Sequence, residues 1–153
     1  MSIYLVQHGK NRSKDVDPDK GLSDEGRNEV ERIATVAKGY GVPVGGIIHS
    51  GKTRARQTAE IFAQALAPAE GTSAADGMGP LDDVEAFGEG LDPASNRMYV
   101  GHLPFMEKLA ALMVTGVSER PVFKFQNGGI VCLDREPEAD TWVIRWALMP
   151  KIS

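Results

Sequence analysis

The stretch Ile3-Tyr4-Leu5-Val6-Gln7-His8-Gly9-Lys10 decides the fold. Four apolar residues, with β-branched and aromatic types among them, lead into a histidine, and the chain then turns polar. A short apolar run of this kind, closed by glycine, predicts a buried strand. In an open α/β sheet, ligands bind at the carboxyl ends of the strands, and the histidine stands at that end. We therefore interpret His8 as a nucleophile.

Composition and charge narrow the class of protein. A length of 153 residues favours one domain over residues 1–153, and 42% hydrophobic with 25% charged residues is ordinary for a globular protein. A net charge of -4 argues against general nucleic-acid binding, which needs a basic surface. The single cysteine, Cys132, lies in an apolar run and is predicted to be buried, which is compatible with a reducing cytoplasm. Because no stretch resembles a signal peptide or a transmembrane helix, we expect a cytoplasmic protein that does not bind membranes.

Helical and strand patterns alternate over the first two thirds of the chain. In order, they predict a helix over about 27–38 that Ser23 caps, a strand over 47–49, a helix over about 53–66, a surface loop over 69–79, a short helix opening within 81–87, a strand over 97–102 and a helix from about Pro104. Strands that alternate with helices are typical of a parallel sheet covered by helices on both faces.

The last third is rich in strand signals. Segments 122–125 and 129–134 flank Asn127-Gly128, a strong signal for a turn between two strands. In segment 142–148 every second residue is large and apolar, which predicts a strand with unequal faces. The large residues, predicted to face one way, are Trp142, Ile144, Trp146 and Leu148. The complete order predicts a three-layer α/β/α sandwich with a mostly parallel central sheet and an antiparallel strand near the C-terminus.

Histidines end three of the predicted strands. His8 precedes Gly9 and His102 follows Gly101, and glycine removes side-chain bulk where a backbone must approach a ligand. Two such histidines at one edge of a sheet favour a functional pair over two unrelated structural residues. His49 directly precedes a turn, and we interpret it as structural.

Segment 50–58 places three cations where the second strand passes into a helix. A helix N-terminus attracts anions through its free N–H groups and its dipole. Arg54 in the first turn adds a rigid fork that matches phosphate oxygens, so it is a candidate phosphate clamp. Lys52 is a further candidate for phosphate binding, whereas Arg56 is interpreted as part of a solvated helix face.

Four sequence blocks occur in an order that resembles the histidine phosphatase superfamily, which also contains the phosphoglycerate mutases. The blocks are Leu-Val-Gln-His-Gly from residue 5, Leu-Ser-Asp-Glu-Gly from residue 22, His-Ser-Gly-Lys-Thr-Arg-Ala-Arg-Gln-Thr-Ala-Glu from residue 49 and Val-Gly-His-Leu-Pro-Phe from residue 100. The small size and the Gly-His-Leu-Pro block are most similar to the SixA-type phosphohistidine phosphatase branch. The resemblance covers about residues 3 to 148 and implies a phosphoglycerate mutase-like fold.

The resemblance also implies roles for individual residues. His8 would take the phosphoryl group, Arg54 would clamp it, and His102 would be the second histidine that binds its oxygens. No metal or other cofactor is implied. One position departs from the superfamily pattern, because Gln7 stands where Arg-His-Gly is usual, and a neutral amide binds phosphate about half as strongly as a charged donor. The cations that could compensate are Lys10, Arg12 and Lys52, and the candidate phosphate-binding residues are Gln7, Lys10, Asn11 and Lys52.

A general acid is less clearly marked in the sequence. The candidates are Asp82, Asp83 and Glu85, with Asp15 and Asp17 as more distant alternatives. A phosphate ester releases an alkoxide and needs such an acid. Phosphohistidine releases imidazole, whose conjugate acid has a pKa of about 6.5, so it leaves with much less help.

Three functions stay open at this point. The leading hypothesis is a phosphohistidine phosphatase that acts on a signalling protein of the phosphotransfer type through a phosphorylated His8. The second is a phosphatase for small phosphate esters, and the third is a non-catalytic module that binds phosphorylated ligands. We expect a monomer with no nucleic-acid partner.

Overall fold

The computed structural model describes residues 2–152 and contains one six-stranded sheet. The elements in chain order are β1 (Ser2–Gln7), α1 (Asp24–Gly39), β2 (Gly46–His49), α2 (Thr53–Leu66), β3 (Thr72–Ala74), α3 (Val84–Gly88), β4 (Arg97–Gly101), α4 (Phe105–Thr115), β5 (Ile130–Asp134) and β6 (Val143–Leu148). The strand order across the sheet is β3-β2-β4-β1-β5-β6. Four neighbouring strands run parallel, and β5 is antiparallel to both β1 and β6. The predicted α/β fold with a mostly parallel sheet is confirmed.

β1 is an inner strand of this sheet and lies between β4 and β5. Its side chains alternate between the two faces of the sheet, since Ile3 and Leu5 pack into one apolar cluster and Tyr4 and Val6 into the other. Helices α1 and α2 cover the Tyr4 face, and α3 and α4 cover the opposite face. These helices complete the three predicted layers.

The N-terminus of α1 is fixed by the predicted cap. The Ser23 side chain accepts a hydrogen bond from the Gly26 N–H at 3.0 Å, and acidic residues occupy the first turn. The helix therefore begins at Asp24, one turn earlier than its apolar pattern alone predicts. The predicted bounds of α2 agree with the structure.

The predicted hairpin around Asn127-Gly128 is wrong. Segment 122–125 is not a strand, although Phe125 is buried in the core. The turn instead closes on the end of β1, where the Gly128 N–H donates to the Gln7 carbonyl at 2.8 Å. Gly128 has a φ of 79°, which few other residues adopt without strain. The turn signal was therefore correct, but its partner is β1 rather than a preceding strand.

β6 requires another correction. Cys132 of β5 pairs with Trp146, and the next residue of β5 pairs with Ile144. Arg145 is thus an extra residue in a bulge, and the alternation of faces breaks there. Ile144 packs on the α4 side of the sheet, whereas Trp146 packs on the α1 side. The strand is confirmed, but the prediction that its large residues all face one way is wrong.

β3 was not predicted, since residues 69–79 were interpreted as a surface loop. The strand has only three residues, all exposed, and it pairs with β2 at the edge of the sheet. Small polar residues give no apolar alternation, so backbone pairing alone makes this strand. Within residues 2–152, no helix is long and apolar enough to cross a membrane.

Gly26 allows the first turn of α1 to pack directly on the backbone of the loop that follows His8. A Cβ atom at this position would overlap the Lys10 carbonyl. Gly26→Ala should therefore lower the free energy of unfolding by about 1–3 kcal/mol, despite the better helix propensity of alanine, as measured by urea denaturation. Gly39→Ala in the last turn is the matched control, because nothing lies within 4 Å of its added methyl group. It should be neutral or stabilising by up to about 1 kcal/mol. Equal effects of the two substitutions would contradict this packing.

Candidate active site

His8 is held by neighbours on both sides of β1. It directly follows the strand, its side chain is 8% exposed, and its N–H donates to the Gly101 carbonyl at 2.9 Å. Its own carbonyl accepts a hydrogen bond from Asn127 Nδ2 at 2.9 Å. The histidine thus has a fixed backbone, which is the first requirement for a nucleophile that must attack along one line.

The hydrogen bond of the His8 ring determines its tautomer. Nδ1 lies 2.7 Å from the Gly9 carbonyl oxygen, which can only accept, so Nδ1 carries the proton and donates. Nε2 is therefore left with its lone pair. The pKa of His8 is lowered to about 4, mainly by burial, which outweighs the opposing hydrogen bond to Gly9, and to a smaller extent by the positive charges of Arg54 and Lys20. A neutral imidazole with a free Nε2 is the form that attacks phosphorus.

His102 comes directly after β4 and lies beside His8. The two ring centroids are 5.0 Å apart, and the His102 side chain is 2% exposed. Its Nε2 shares a hydrogen bond of 2.6 Å with Ser50 Oγ, while Nδ1 is buried without a partner among the described residues. The pKa of His102 is lowered to about 3, mainly by burial. Four neighbouring residues lower it to a smaller extent, namely His8, Arg54, Lys52 and Lys20. A buried nitrogen without a partner is a feature of sites that complete their hydrogen bonds with a ligand.

Arg54 stands in the first turn of α2, next to the two histidines. Its guanidinium is partly buried, and burial lowers its pKa, although arginine keeps its charge in proteins. The residue that precedes the helix is Lys52, one position before Thr53, and its side chain forms no capping hydrogen bond. The first N–H groups of α2 therefore lack a side-chain cap. Free N–H groups at a helix N-terminus can donate hydrogen bonds to an anion.

Thr58 connects the backbone at Arg54 to the backbone at Gly9, directly after His8, and the sequence analysis missed this residue. Its Oγ1 accepts from the Gly9 N–H at 2.8 Å and donates to the Arg54 carbonyl at 2.8 Å. The side chain is 0% exposed. A hydroxyl within the apolar stripe of a helix, between Ala55 and Phe62, was the available signal, because such a group must find a partner.

Lys20 is a second residue that the sequence analysis missed. It is half-buried at the return of the loop after His8, and its charge acts on both histidines. Nothing in the sequence distinguishes it from Lys14 in the same loop, because a side chain's nearness to a site depends on the path of the loop.

The other predicted phosphate-binding residues differ in whether their side chains are engaged elsewhere or act on the histidines. Lys10 Nζ forms an exposed ion pair with Glu25 at 2.8 Å. Asn11 Nδ2 donates to a neighbouring backbone carbonyl at 2.8 Å. Lys52 is exposed, yet its charge acts on His102. Gln7 is half-buried, with its Oε1 buried and without a partner among the described residues.

Arg12, offered as a compensating cation, lies 3.6 Å from Asp24 in an exposed pair. Arg56 pairs with Glu60 at 2.7 Å on the surface of α2, as its interpretation as part of a solvated face requires. His49 is buried and its Nδ1 accepts from the Gly51 N–H at 3.1 Å, so its structural role in the turn is confirmed.

The candidate general acids are engaged elsewhere. Asp82 Oδ2 accepts from the Gly79 N–H at 2.6 Å, and Asp83 Oδ1 caps α3 by accepting from the Glu85 N–H at 2.9 Å. Glu85 is exposed in the first turn of α3. Within residues 2–152, no side-chain carboxylate forms a hydrogen bond with either histidine of the pair. The structure brings together His8, Arg54 and His102 but does not bring an acid to them.

Comparison with known proteins agrees with this geometry. The family model of the histidine phosphatase superfamily (branch 1) matches residues 3–74, which contain His8 and Arg54. This match agrees with the predicted resemblance to that superfamily, and the resemblance supports a phosphatase. No curated protein sequence matches the chain.

Solved structures share the fold over the whole chain. The protein histidine phosphatase SixA complexed with tungstate has a TM-score of 0.81 and 23% identity, covering 98% of this chain and 97% of that one. A protein from Agrobacterium tumefaciens described as phosphohistidine phosphatase SixA has a TM-score of 0.75 and 24% identity, with 97% of each chain covered. The mycobacterial glucosyl-3-phosphoglycerate phosphatase complexed with VO3 has a TM-score of 0.71 and 13% identity, covering 97% of this chain and 99% of that one. At these identities the likeness shows the fold alone.

The low pKa values of the two histidines predict an acid-sensitive protein. Above pH 6.5, the ordinary pKa of histidine, His8 is neutral in both the folded and the unfolded protein. Between pH 6.5 and about 4, His8 binds a proton in the unfolded chain but stays neutral in the folded protein. The free energy of unfolding should therefore fall as the pH drops through this range, as measured by urea denaturation at several pH values. His8→Asn should make the fall shallower. Ring ¹⁵N NMR should show a proton on Nδ1 and a midpoint near pH 4, and a midpoint near 6.5 would contradict the burial argument.

Thr58 offers a test of the link between nucleophile and clamp. Thr58→Val keeps the shape but leaves the Gly9 N–H without its acceptor, so the free energy of unfolding should fall by about 1–3 kcal/mol. Tungstate, measured by calorimetry, should also bind more weakly, because both Gly9 and Arg54 lose their common anchor. Thr58→Ser keeps the hydroxyl and should retain most of the tungstate affinity. Equal tungstate affinity in the valine and serine variants would show that the hydroxyl does not position the site.

Proposed function

We propose that this protein is a phosphohistidine phosphatase that removes the phosphoryl group from a histidine of a signalling protein of the phosphotransfer type. The observation that carries the proposal is the neutral His8 ring, whose proton lies on Nδ1 and whose Nε2 lies free beside His102 and Arg54. Phosphoryl transfer depends mainly on positioning and on charge stabilisation, and this arrangement supplies both.

The first step transfers the phosphoryl group to the enzyme. The Nε2 lone pair of His8 forms a bond to phosphorus while the P–N bond to the substrate imidazole breaks. A substrate ring protonated on its second nitrogen leaves as neutral imidazole, so no proton has to be delivered to it. Arg54 and the other cations balance the charge on the phosphoryl oxygens as it moves.

The second step uses the same hydrogen bond to Gly9. Phosphorylated His8 keeps its proton on Nδ1, because the Gly9 carbonyl accepts it, and the ring is therefore cationic. Water attacks phosphorus, the P–N bond breaks, and the electron pair returns to Nε2. The water proton passes to phosphate or solvent, and His8 is restored as the neutral starting tautomer.

The positions of the carboxylates favour this substrate class. Asp82 and Asp83 both accept hydrogen bonds from backbone N–H groups, and neither one forms a hydrogen bond with His8 or His102. An alkoxide leaving group would need an acid at that place, whereas imidazole has a conjugate acid with a pKa of about 6.5 and does not. Hydrolysis of small phosphate esters is therefore the weaker alternative. Simple binding of a phosphorylated ligand would leave the free Nε2 without a role.

The proposal is tested with a histidine phosphotransfer protein labelled with ³²P on its histidine. The protein should release phosphate from it, and His8→Ala should abolish the release. Arg54→Ala should lower the rate by roughly 10²–10³-fold, since it removes a charged donor from the transition state. Arg56→Ala, on the exposed face of the same helix, is the control and should leave the rate unchanged.

Two further readouts separate the alternatives. An acid-labile label that moves onto the wild-type protein, but not onto His8→Ala, marks the phosphohistidine intermediate. Faster turnover of para-nitrophenyl phosphate than of the phosphorylated protein would favour the ester alternative. Tight binding of the phosphorylated protein without release of phosphate would identify a binding module.

A further inference from the structure

We propose that Lys20 is a phosphate-binding residue that supplies the positive charge missing at Gln7. The inference rests on the proposed function, because the phosphoryl group is taken from that reaction. Its own subject is how the site binds an oxyanion. It follows from where the loop after His8 returns to the fold, from the backbone conformation at Lys20 and from the absence of a carboxylate partner.

The loop return is fixed against α2 beside Arg54. The Leu22 N–H donates to Gln57 Oε1 at 2.8 Å, and Gln57 lies one turn after Arg54, on the same side of the helix. The Gly21 carbonyl accepts from the Arg12 N–H at 2.8 Å, which closes the loop on itself. Lys20, which immediately precedes this docked segment, is thereby held at the edge of the site.

The backbone at Lys20 is left-handed, with a φ of 54°. Glycine adopts this conformation without cost, whereas other residues are strained there. Asp17 stabilises the conformation, since its carbonyl accepts from the Lys20 N–H at 2.9 Å and its Oδ2 accepts from the Gly21 N–H at 3.0 Å. A lysine at a position that suits glycine indicates that the side chain is needed, because such strain is found where function requires it.

The charge of Lys20 is free to meet an anion. Among residues 2–152, no carboxylate lies within ion-pair distance of Lys20, Lys52 or Arg54, whereas Lys10 is paired with Glu25. The positive charge of Lys20 contributes to lowering the pKa of both His8 and His102. Lys20 is therefore a better replacement for the missing arginine than Lys10 or Arg12, the cations nearest in sequence.

The test compares variants by the affinity for tungstate, measured by calorimetry, and by kcat/KM on the phosphorylated protein. Lys20→Met should weaken tungstate binding by roughly 10–100-fold, as expected for the loss of a charge-assisted contact. Lys14→Met, an exposed lysine of the same loop, should change it by less than about twofold, as for a screened surface charge. Gln7→Arg combined with Lys20→Met should restore much of the affinity, since it returns the positive charge at the position beside His8.

Lys20→Gly separates the role of the side chain from that of the backbone. It should match Lys20→Met in tungstate affinity while keeping or raising the melting temperature, because glycine suits the φ of 54°. Ala67→Gly, at the left-handed C-cap of α2 and thus beyond the opposite end of that helix from Arg54, is the matched control. It should keep or raise the melting temperature and leave tungstate binding unchanged.

The outcomes distinguish this inference from the proposed function. Tungstate binding that depends on Lys20, in a protein that does not release phosphate, would overturn the function and support the clamp. Turnover and tungstate binding that are both unchanged in Lys20→Met and Lys20→Gly would overturn the clamp and leave the function standing. A wild-type protein that binds no tungstate would overturn the clamp.

Discussion

The hydrogen bond from His8 Nδ1 to the Gly9 carbonyl is the interaction on which the chemistry of the site depends. It fixes the proton on one nitrogen and thereby leaves the other with its lone pair. Gly9 is itself held, because its N–H donates to Thr58, and Thr58 is bonded to the Arg54 carbonyl. His8 and Arg54, the proposed nucleophile and phosphate clamp, are thus joined by one chain of hydrogen bonds.

The electrostatics of the site follow from the same arrangement. Burial keeps both histidines neutral, and the neighbouring cations Arg54, Lys20 and Lys52 reinforce this effect. Cations that lack carboxylate partners among the described residues make this site complementary to an anion.

The sequence predicted most of the fold but only part of the site. Periodicity and caps predicted β1, α1 and α2, and the ends of strands predicted His8 and His102, because both signals are local. β3 and the bulge at Arg145 were not predicted, since they depend on pairing between distant strands. Lys20 and Thr58 were missed for a related reason. Their roles depend on where a loop returns and on which neighbour a buried hydroxyl finds, and neither is encoded in a short pattern.

The pairing of β1 has a consequence for how the protein comes into being. β1 precedes the other five strands of this sheet in the chain, yet its two neighbours in the sheet are β4 and β5, which end at Gly101 and Asp134. The strand that presents His8 must therefore wait for most of the chain before it finds either neighbour, and contacts so distant in sequence form slowly. During synthesis, the apolar residues of β1 remain a site where a chaperone can bind.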